Sequence, residues 1–297
     1  MPDTTLHDRA LGAYLGLAVG DALGATVEFM TPREIALRYG VHRQIVGGGW
    51  LKLPAGEVTD DTTMSLALGQ AIVQQPRWSL HAVAQAWVTW LLGGPVDCGN
   101  TCRRGIRRFM RDGSLAGPLA DGDAGNGALM RHLPVVLATW RDEQAFERWA
   151  IEQAHVTHHH PLSDAAILSL GHMVRDWLID PDTADARMRS RAQALVDTHP
   201  VFRFDPYPGR ASGYVVDTVQ TVLHHVLAYE DFEACLVAVV NQGEDADTTG
   251  ALAGMLAGAR GGWQAIPERW RRALRPQVRH AIEQQVNELL RWASILR

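Results

Sequence analysis

The chain has 297 residues, of which 46% are hydrophobic and 21% charged, and its formal net charge is −5. This composition is that of a globular protein with a substantial core, and the acidic balance argues against nucleic-acid binding, which needs a basic surface. Three cysteines, a small and odd number, argue against a disulfide framework and favour a reducing compartment. An apolar stretch over residues 10–19 reaches only about half the length of a membrane span before Asp21 ends it. It predicts a buried helix rather than a transmembrane segment.

Glycines recur at every fourth position in two segments that lie near opposite ends of the chain. They are Gly12, Gly16, Gly20 and Gly24 in the first segment, and Gly250, Gly254 and Gly258 in the second. A glycine in a helix interior costs about 1 kcal/mol, so this repetition needs a packing reason. Stripes of small residues let two helix backbones approach closely. We therefore predict two central, tightly packed helices, each with acidic residues at or near one end.

Apolar residues recur at helical spacing through nearly all of the chain. After the first glycine segment, the predicted helices span residues 64–73, 80–92, 128–138, 146–155, 165–178, 215–227, 252–259 and 276–296. Glycine- and proline-rich loops are predicted at residues 47–49, 93–95, 121–127 and 202–213. No series of alternating strands separated by hairpin turns is present. The sequence predicts an all-α fold and a single compact multi-helix domain over residues 1–297.

Two oxygen-rich clusters lie almost two hundred residues apart and contain neither Cys nor His. They are Thr59-Asp60-Asp61-Thr62 and Asp245-Ala246-Asp247-Thr248-Thr249-Gly250. Carboxylates and hydroxyls suit hard cations such as Mg²⁺ or Mn²⁺ and argue against zinc. Four carboxylates would balance two divalent ions, and hydrolytic dinuclear centres hold two ions about 3.5–4 Å apart.

These clusters allow two other interpretations. Either cluster alone fits a helix cap, in which side-chain oxygens accept hydrogen bonds from the first turn. The second cluster also begins like a calcium-binding loop, with acidic or hydroxyl side chains at positions 1, 3 and 5 and glycine at position 6. That loop needs a bidentate Glu at position 12, where this chain has Leu256. The calcium-loop interpretation is therefore excluded, and the helix-cap interpretation stays open.

Three further segments contain candidate functional side chains. Asp97 follows a Gly-Gly-Pro turn, where it would orient a ribose hydroxyl, act as a general acid or base, or cap the next helix. Glu28, beyond the first glycine segment, is either a surface acid or a carboxylate beside the metals. The motif Gly125-Asn126-Gly127 precedes the predicted helix 128–138. It is either a phosphate-binding helix start or a tight turn.

Two basic or imidazole-rich clusters allow more than one interpretation. Four histidines, His155, His158, His159 and His160, precede Pro161, which breaks any helix there. We predict a polar loop in which one histidine contacts a ligand, rather than a histidine-ligated metal. Four arginines, Arg103, Arg104, Arg107 and Arg108, share one helix face. They form either a solvated face or a docking patch for an acidic protein.

Taken in order, four motifs resemble the ADP-ribosylglycohydrolase family. They are residues 16–24 (GLAVGDALG), 59–62 (TDDT), 125–128 (GNGA) and 245–248 (DADT), within a resemblance over about residues 9–270. The resemblance implies an all-α fold with a dinuclear Mg²⁺ or Mn²⁺ centre at the mouth of a cleft. The implied metal ligands are Thr59, Asp60, Asp61, Asp245, Asp247 and Thr248.

The resemblance also implies roles for other residues and an activity. Asp97 would lie beside the proximal ribose, and Glu28 near the metals, both as catalytic candidates. The implied substrate-binding residues are Asn100, Gly125, Asn126, Gly127, His158 and Tyr214. The implied reaction is hydrolysis of the bond between ADP-ribose and an arginine side chain. Two alternatives stay open: a catalytically silent ADP-ribose-binding protein, and a dinuclear phosphohydrolase acting on an ADP-ribose derivative.

Three segments carry a closer resemblance within the family. Residues 47–56, 96–97 and 103–109 resemble the bacterial members that reactivate dinitrogenase reductase. The implied partner is therefore ADP-ribosylated dinitrogenase reductase, with free ADP-ribose as the product. We expect a monomer in the bacterial cytoplasm, or one held at the membrane periphery by a partner.

Overall fold

The computed structural model describes residues 4–295, and this part of the chain forms α-helices joined by turns and short 3₁₀ segments, without a β-strand. The helices of this range are α1 (Thr4–Gly24), α2 (Pro32–Tyr39), α3 (Asp60–Val73), α4 (Leu80–Leu92), α5 (Asn100–Asp112), α6 (Leu133–Ala138), α7 (Glu143–His155), α8 (Pro161–Ile179), α9 (Pro181–Thr198), α10 (Val215–Ala228), α11 (Phe232–Val240), α12 (Ala246–Gly261), α13 (Glu268–Ala273) and α14 (Pro276–Ile295). The all-α prediction is confirmed. Among the helices described, none has the length and apolarity that crossing a membrane requires.

The two glycine-striped helices, α1 and α12, pack against each other at the centre of the fold. A Cβ atom built on Gly16 would overlap the backbone carbonyl of Gly254, and one built on Gly20 would overlap that of Gly250. The helices run antiparallel, because Gly12 faces Gly258 at the opposite end of the contact. Backbones this close leave no space for any side chain, which explains the four-residue repeat of glycine. The predicted central helix pair is confirmed.

The antiparallel packing places the end of α1 beside the start of α12, and α3 begins at the same place. Asp21, on the last turns of α1, is completely buried and accepts hydrogen bonds from the backbone N–H groups of Thr59 (3.0 Å) and Thr62 (3.2 Å). Behind this junction, the Tyr14 hydroxyl donates to the side-chain oxygen of Gln285 on α14 at 2.7 Å. Three helix ends are thus fixed together at one point of the molecule.

The largest error in the predicted helices concerns residues 128–132, which are not helical, since residues 127–131 form turns. Helix α6 begins only at Leu133, with Pro134 in its first turn, where proline fits. Upstream, the Asn126 N–H donates to the Gly213 carbonyl at 3.1 Å, and the Val215 N–H donates to the Ala124 carbonyl at 2.9 Å. The chain is thereby paired with a distant loop, so the Gly-Asn-Gly motif is not a phosphate-binding helix start.

Other differences are in helix length and number. Helices α3 and α12 begin earlier than predicted, so that their acidic residues lie within or directly before the first turn. Several short or polar helices, α2, α9, α11 and α13, were not predicted. Helix α2 has a capping box, with Thr31 and Glu34 bonded reciprocally. The last position of the predicted helix 276–296, Leu296, lies outside the described residues.

Candidate functional site

The first acidic cluster forms the start of α3, but its carboxylates do not cap that helix. The N-cap residue, Thr59, makes no side-chain capping bond, and its hydroxyl instead donates to Asp61 Oδ2 at 3.3 Å. The buried carboxylate of Asp21, on another helix, accepts from the first-turn N–H groups in its place. Asp60 and Asp61 are therefore left to interact with groups outside the helix, and the helix-cap interpretation of this cluster is wrong.

The second acidic cluster forms the start of α12 and meets the first across the helix pair. Asp245 is the N-cap residue, and its side chain makes no capping bond. Carboxylate oxygens of Asp245, Asp247 and Glu28 lie within 4.8 Å of one another. The two clusters are joined directly, because the Thr248 hydroxyl donates to Asp61 Oδ2 at 3.2 Å. Glu28 therefore belongs to this buried acidic site and is not a surface acid.

Burial makes this site electrostatically unfavourable in the absence of cations. Desolvation raises the pKa of Asp60 to about 7, with a further contribution from the Asp97 carboxylate. The pKa of Glu28 is raised to about 8, chiefly by desolvation and also by the neighbouring acids, while the Trp50 indole opposes them. The pKa values of Asp61 and Asp247 are raised well above their usual range by burial and by the surrounding carboxylates.

The donor set fits a centre of divalent hard cations. Oδ1 of Asp61 is buried and has no hydrogen-bond partner among the described residues, so this oxygen is available to a ligand from outside the chain. The side-chain donors at the junction are carboxylates and threonine hydroxyls, which suit Mg²⁺ and Mn²⁺. None of these carboxylates has a cationic partner among the described residues, so it is costly to ionise them together. Bound cations would relieve the repulsion that contributes to their raised pKa values.

Glu28 is held at the edge of the site by a strained turn and an indole. The Trp50 Nε1–H donates to Glu28 Oε2 at 2.6 Å, and the Trp50 ring lies 5.3 Å from that of Phe29. Phe29 and Glu244 both have positive φ angles, 61° and 51°. Their segments are tied together, since the Phe29 N–H donates to the Glu244 carbonyl at 2.6 Å. Such strain in non-glycine residues is typical of functional sites.

The opposite side of the site is neutral and consists of the Gly125–Gly127 loop and His158. Asn126 connects the two sides: its amide Nδ2 donates to Thr218 Oγ1 at 2.9 Å and also to Asp245 Oδ2. A Cβ atom on Gly127 would lie 2.9 Å from the His158 ring, so glycine keeps the imidazole edge open.

The two sides enclose a cleft of about 560 Å³. The predicted site residues that line it are Glu28, Asp60, Asp61, Asp97, Asn100, Gly125, Asn126, Gly127, His158, Asp245, Asp247 and Thr248. Two predicted residues do not line it. Thr59 is completely buried behind Asp61. Tyr214 is 42% exposed, and its backbone pairs with Gly125 at the rim.

Asp97 lies at the cleft and does not cap α5. The N-cap residue of that helix is Gly99, whose N–H donates to Asp60 Oδ2 at 3.1 Å. The Asp97 carboxylate accepts from the Cys98 N–H at 2.6 Å, outside the helix. The capping interpretation of Asp97 is therefore wrong, and one of its carboxylate oxygens makes no hydrogen bond within residues 4–295.

Of the four clustered histidines, only His158 lines the cleft. His155 contacts Asp164 at 3.0 Å, and His160 accepts from the first turn of α8. The arginine face is also largely committed to its own chain, because Arg104 pairs with Asp123 and Arg108 donates to the Val156 carbonyl at 2.7 Å. Arg104 nevertheless keeps 61% of its side chain exposed and Arg107 is exposed, so both interpretations of the arginine face stay open.

Asp21 is the main structural residue of the site that the sequence analysis did not identify. In the sequence, Asp21 ends an apolar stretch and belongs to the 16–24 motif, and neither feature assigns it a partner. The available signal was a single acid within an otherwise apolar, glycine-striped helix, where it is costly to bury without partners. Its partners are the N–H groups of α3 and the Thr62 hydroxyl, which donates at 2.5 Å.

Comparison with known proteins agrees with this geometry. The family model described as ADP-ribosylglycohydrolase matches residues 2–294. The chain belongs to the ADP-ribosylglycohydrolase family. A solved family structure described as an ADP-ribosylglycohydrolase-related protein complex superimposes with a TM-score of 0.84 at 32% identity, covering 98% of this chain and 100% of that one.

Curated family relatives cover most of the chain. ADP-ribosyl-[dinitrogen reductase] glycohydrolase of Rhodospirillum rubrum is 53% identical over 295 residues, which is 99% of this chain and 100% of that protein. ADP-ribosylarginine hydrolase Tri1 of Pseudomonas putida is 33% identical, covering 89% of this chain and 73% of the relative. The family resemblance read from the four motifs is confirmed.

Proposed function

We propose that this protein hydrolyses the N-glycosidic bond between ADP-ribose and an arginine side chain, and so restores the unmodified protein. The observation that carries the proposal is the cleft itself. It combines a wall of carboxylates, including Asp61 with its unpartnered buried oxygen, with a neutral wall of glycines and His158. The names of the Rhodospirillum and Pseudomonas relatives, both hydrolases of ADP-ribosylated proteins or arginine, support the same reaction.

The acidic wall is proposed to hold two divalent cations, Mn²⁺ or Mg²⁺. The proposed ligands are Thr59, Asp60, Asp61, Asp245, Asp247 and Thr248. When bound, such ions polarise ligand oxygens and lower the pKa of a water molecule. Thr59 is the ligand with the least support, because its hydroxyl faces Asp61 and not the cleft.

The chain's own residues supply orientation and proton transfer. Asp97 is proposed to handle a proton at the reacting ribose, because its carboxylate lines the cleft with an oxygen that makes no bond within the described residues. Glu28, held by Trp50, faces the same region and supports the metal site or the leaving guanidinium. Guanidine is a poor leaving group, so positioning of a proton donor at the leaving nitrogen matters for the rate.

Asn100, the Gly125–Gly127 loop and His158 are proposed to contact the ligand, with Tyr214 at the rim. The protein target is proposed to be ADP-ribosylated dinitrogenase reductase, on the basis of the 53% identity to the Rhodospirillum protein. We further propose that residues 1–297 form one domain, which acts as a monomer in the bacterial cytoplasm. A location at the membrane periphery would require a partner.

The test is to incubate the purified protein with an arginine-ADP-ribosylated protein, with Mn²⁺, with Mg²⁺ and with a chelator. Mass spectrometry should show loss of one whole ADP-ribosyl unit in the two metal samples, together with release of free ADP-ribose. Release of phosphate, with a ribose or phosphoribosyl group left on arginine, would indicate a phosphohydrolase. Binding of ADP-ribose without any release would indicate a catalytically silent protein.

A further inference from the structure

Arg131 is completely buried behind the neutral wall of the cleft, where its hydrogen bonds go to neutral groups. Its Nε–H donates to the side-chain oxygen of Gln153 at 3.0 Å, and its Nη2–H donates to Thr157 Oγ1 at 2.7 Å. The guanidinium lies 3.9 Å above the ring of Trp87. Because a guanidinium has five donors and no acceptor, the direction of each of these bonds is fixed.

The Thr157 hydroxyl connects Arg131 to His158. Its oxygen lies 2.8 Å from His158 Nδ1. The oxygen accepts from Arg131 and has a second lone pair, so a bond from an Nδ1–H would leave the buried hydroxyl proton without an acceptor. His158 Nδ1 is the one acceptor that this proton reaches within residues 4–295, so the hydroxyl donates to it. Nδ1 therefore carries a lone pair. A neutral imidazole with a lone pair on Nδ1 has its proton on Nε2.

The imidazole of His158 is neutral in this environment. Burial lowers its pKa well below the usual range, and the positive charges of Arg131 and Arg104 lower it further. The tautomer is therefore decided by the hydrogen bond to Nδ1 and not by full protonation.

The Nε2 atom of His158 faces the ligand cleft across two glycines. A Cβ atom on Gly125 would lie 3.1 Å from Nε2, and one on Gly127 would lie 3.2 Å from it. No acceptor within the described residues bonds to Nε2, whereas Nδ1 is occupied. The two glycines therefore leave the Nε2 edge of the His158 ring accessible from the cleft. Arg131 and Thr157, on the other side of the ring, determine whether Nε2 carries a proton.

We propose that Arg131 and Thr157 are positioning residues that hold His158 in the tautomer with its proton on Nε2, so that the cleft offers a donor to a ligand oxygen. The ligand identity rests on the proposed function, in which it is the ADP-ribosyl group. An ADP-ribosyl group presents oxygen acceptors, and a lone pair on Nε2 would repel them. The hydrogen bonds from Arg131 to Thr157 and from Thr157 to His158 Nδ1, which we call the relay, disfavour the tautomer with a lone pair on Nε2.

The tautomer is tested directly by ¹⁵N NMR of protein labelled at histidine and loaded with Mg²⁺, which is diamagnetic. His158→Gln assigns the signals, since the chain contains 13 histidines. We expect a proton on Nε2 of His158 in the native chain and a hydrogen-bonded lone pair on Nδ1. Thr157→Val should shift the Nδ1 signal, and Thr157→Ser should restore it. A proton on Nδ1 in the native chain would overturn the inference.

The effect on the ligand is tested with ADP-ribose by calorimetry and with ADP-ribosyl-arginine by kinetics. Thr157→Val should weaken ADP-ribose binding about tenfold, as expected for a disturbed hydrogen bond. The KM should rise with kcat changed less than about twofold, because the contact is uniform between ground state and transition state. Thr157→Ser should restore both values.

Thr139→Val is the matched control, because Thr139 is equally buried and its hydroxyl donates to the Val135 carbonyl of its own helix at 2.6 Å. It should bind ADP-ribose as the native chain does. Equal affinities of Thr157→Val and the native chain would overturn this inference and leave the proposed function intact. Failure of the native chain to bind ADP-ribose would overturn the proposed function, while the NMR result would still decide whether the relay exists.

Discussion

The two walls of the cleft are built by different means. The acidic wall consists of helix ends: α1 and α12 are fixed by glycine packing, and Asp21 fixes the start of α3 to them. The neutral wall consists of loops, in which Asn126 pairs with Gly213 and His158 is oriented from behind by Thr157. Rigid helix ends can hold carboxylates close together despite their repulsion. The loops of the other wall hold neutral groups, which do not repel one another and need less support from the fold.

This contrast predicts that charge on the acidic wall controls metal binding, whereas His158 on the neutral wall affects only binding of the ligand. The largest effect should come from Asp247→Asn, which keeps the side-chain shape and removes one charge. We expect loss of at least one ion and a fall in activity greater than the roughly 10–100-fold that is typical of an outer-shell change. Metal content by mass spectrometry and ADP-ribose release measure the two effects.

The stability of the metal-free Asp247→Asn protein should change in the opposite direction. Burial, and then the neighbouring carboxylates, raise the pKa of Asp247, so the metal-free fold must either protonate this side chain or bury its charge at a cost. Asparagine removes that cost, and the free energy of unfolding should increase. Asp142→Asn is a control outside the cleft lining, because Asp142 caps α7 by accepting from the Ala145 N–H at 2.9 Å. It should retain both ions. Full activity in Asp247→Asn would be incompatible with the proposed metal centre.

Asp97→Asn should separate chemistry from binding. If Asp97 moves a proton at the reacting ribose, kcat should fall roughly 10²–10⁴-fold. The affinity for free ADP-ribose should change little, because the reacting bond is absent from that ligand. Steady-state kinetics and competitive inhibition by ADP-ribose measure both. An unchanged kcat would exclude proton transfer by Asp97.

Gly254→Ala should disturb the acidic wall indirectly, by pushing α12 away from α1. A Cβ atom there would overlap the Gly16 carbonyl, and a backbone group cannot move aside as a side chain can. We expect a loss of about 1–3 kcal/mol in the free energy of unfolding, and weaker metal binding as α12 shifts. Gly122→Ala is the control, because a Cβ on Gly122 meets nothing within 4 Å. Equal melting temperatures for the two variants would contradict the close-packing explanation.

The acidic wall could be predicted from the sequence, and the neutral wall only in part. Periodic glycines and clustered acids leave local patterns, so the helix pair and the acids that meet there were identified before the fold was known. The sequence marks Asp21 as an acid within an apolar helix, but it does not identify its partners, which are backbone N–H groups and a hydroxyl some forty residues away.

On the neutral wall, the sequence predicted a helix over residues 128–138, and only residues 133–138 form one. The apolar run over residues 128–138 has helical spacing, but pairing of Ala124 and Asn126 with the distant segment at Gly213 and Val215 decides the backbone. The relay through Thr157 could not be predicted from the sequence either. A threonine next to a histidine is common, and only the fold brings Arg131 to it. Tertiary contacts, and not local propensity, determine this side of the cleft.

The smallest expected effect is a pH dependence of the metal-free protein that arises on the acidic wall. The folded-state pKa of Glu28 is raised from 4.5 to about 8, and that of Asp60 from 3.8 to about 7, chiefly by burial. In the unfolded chain both groups are ionised above about pH 6. The stability that their protonated forms provide is therefore fully present below about pH 4, falls as the pH rises above the unfolded-state pKa values, and is lost once the pH has passed about 7 to 8.

Denaturation curves with a chelator, from about pH 6.5 to about pH 8.5, should show a falling free energy of unfolding. Glu28→Gln should flatten this slope, because the variant has no proton to release in that range. Buried thiols such as Cys102, whose pKa is raised to about 12, contribute a slope of the same sign in both proteins, so the difference between them isolates Glu28. Saturating Mg²⁺ should flatten the slope of the native chain as well, because a bound cation favours the ionised carboxylates. Equal slopes for Glu28→Gln and the native chain would mean that Glu28 is already ionised in the metal-free fold, and that the repulsion within the acidic wall is borne by Asp60 and its neighbours instead.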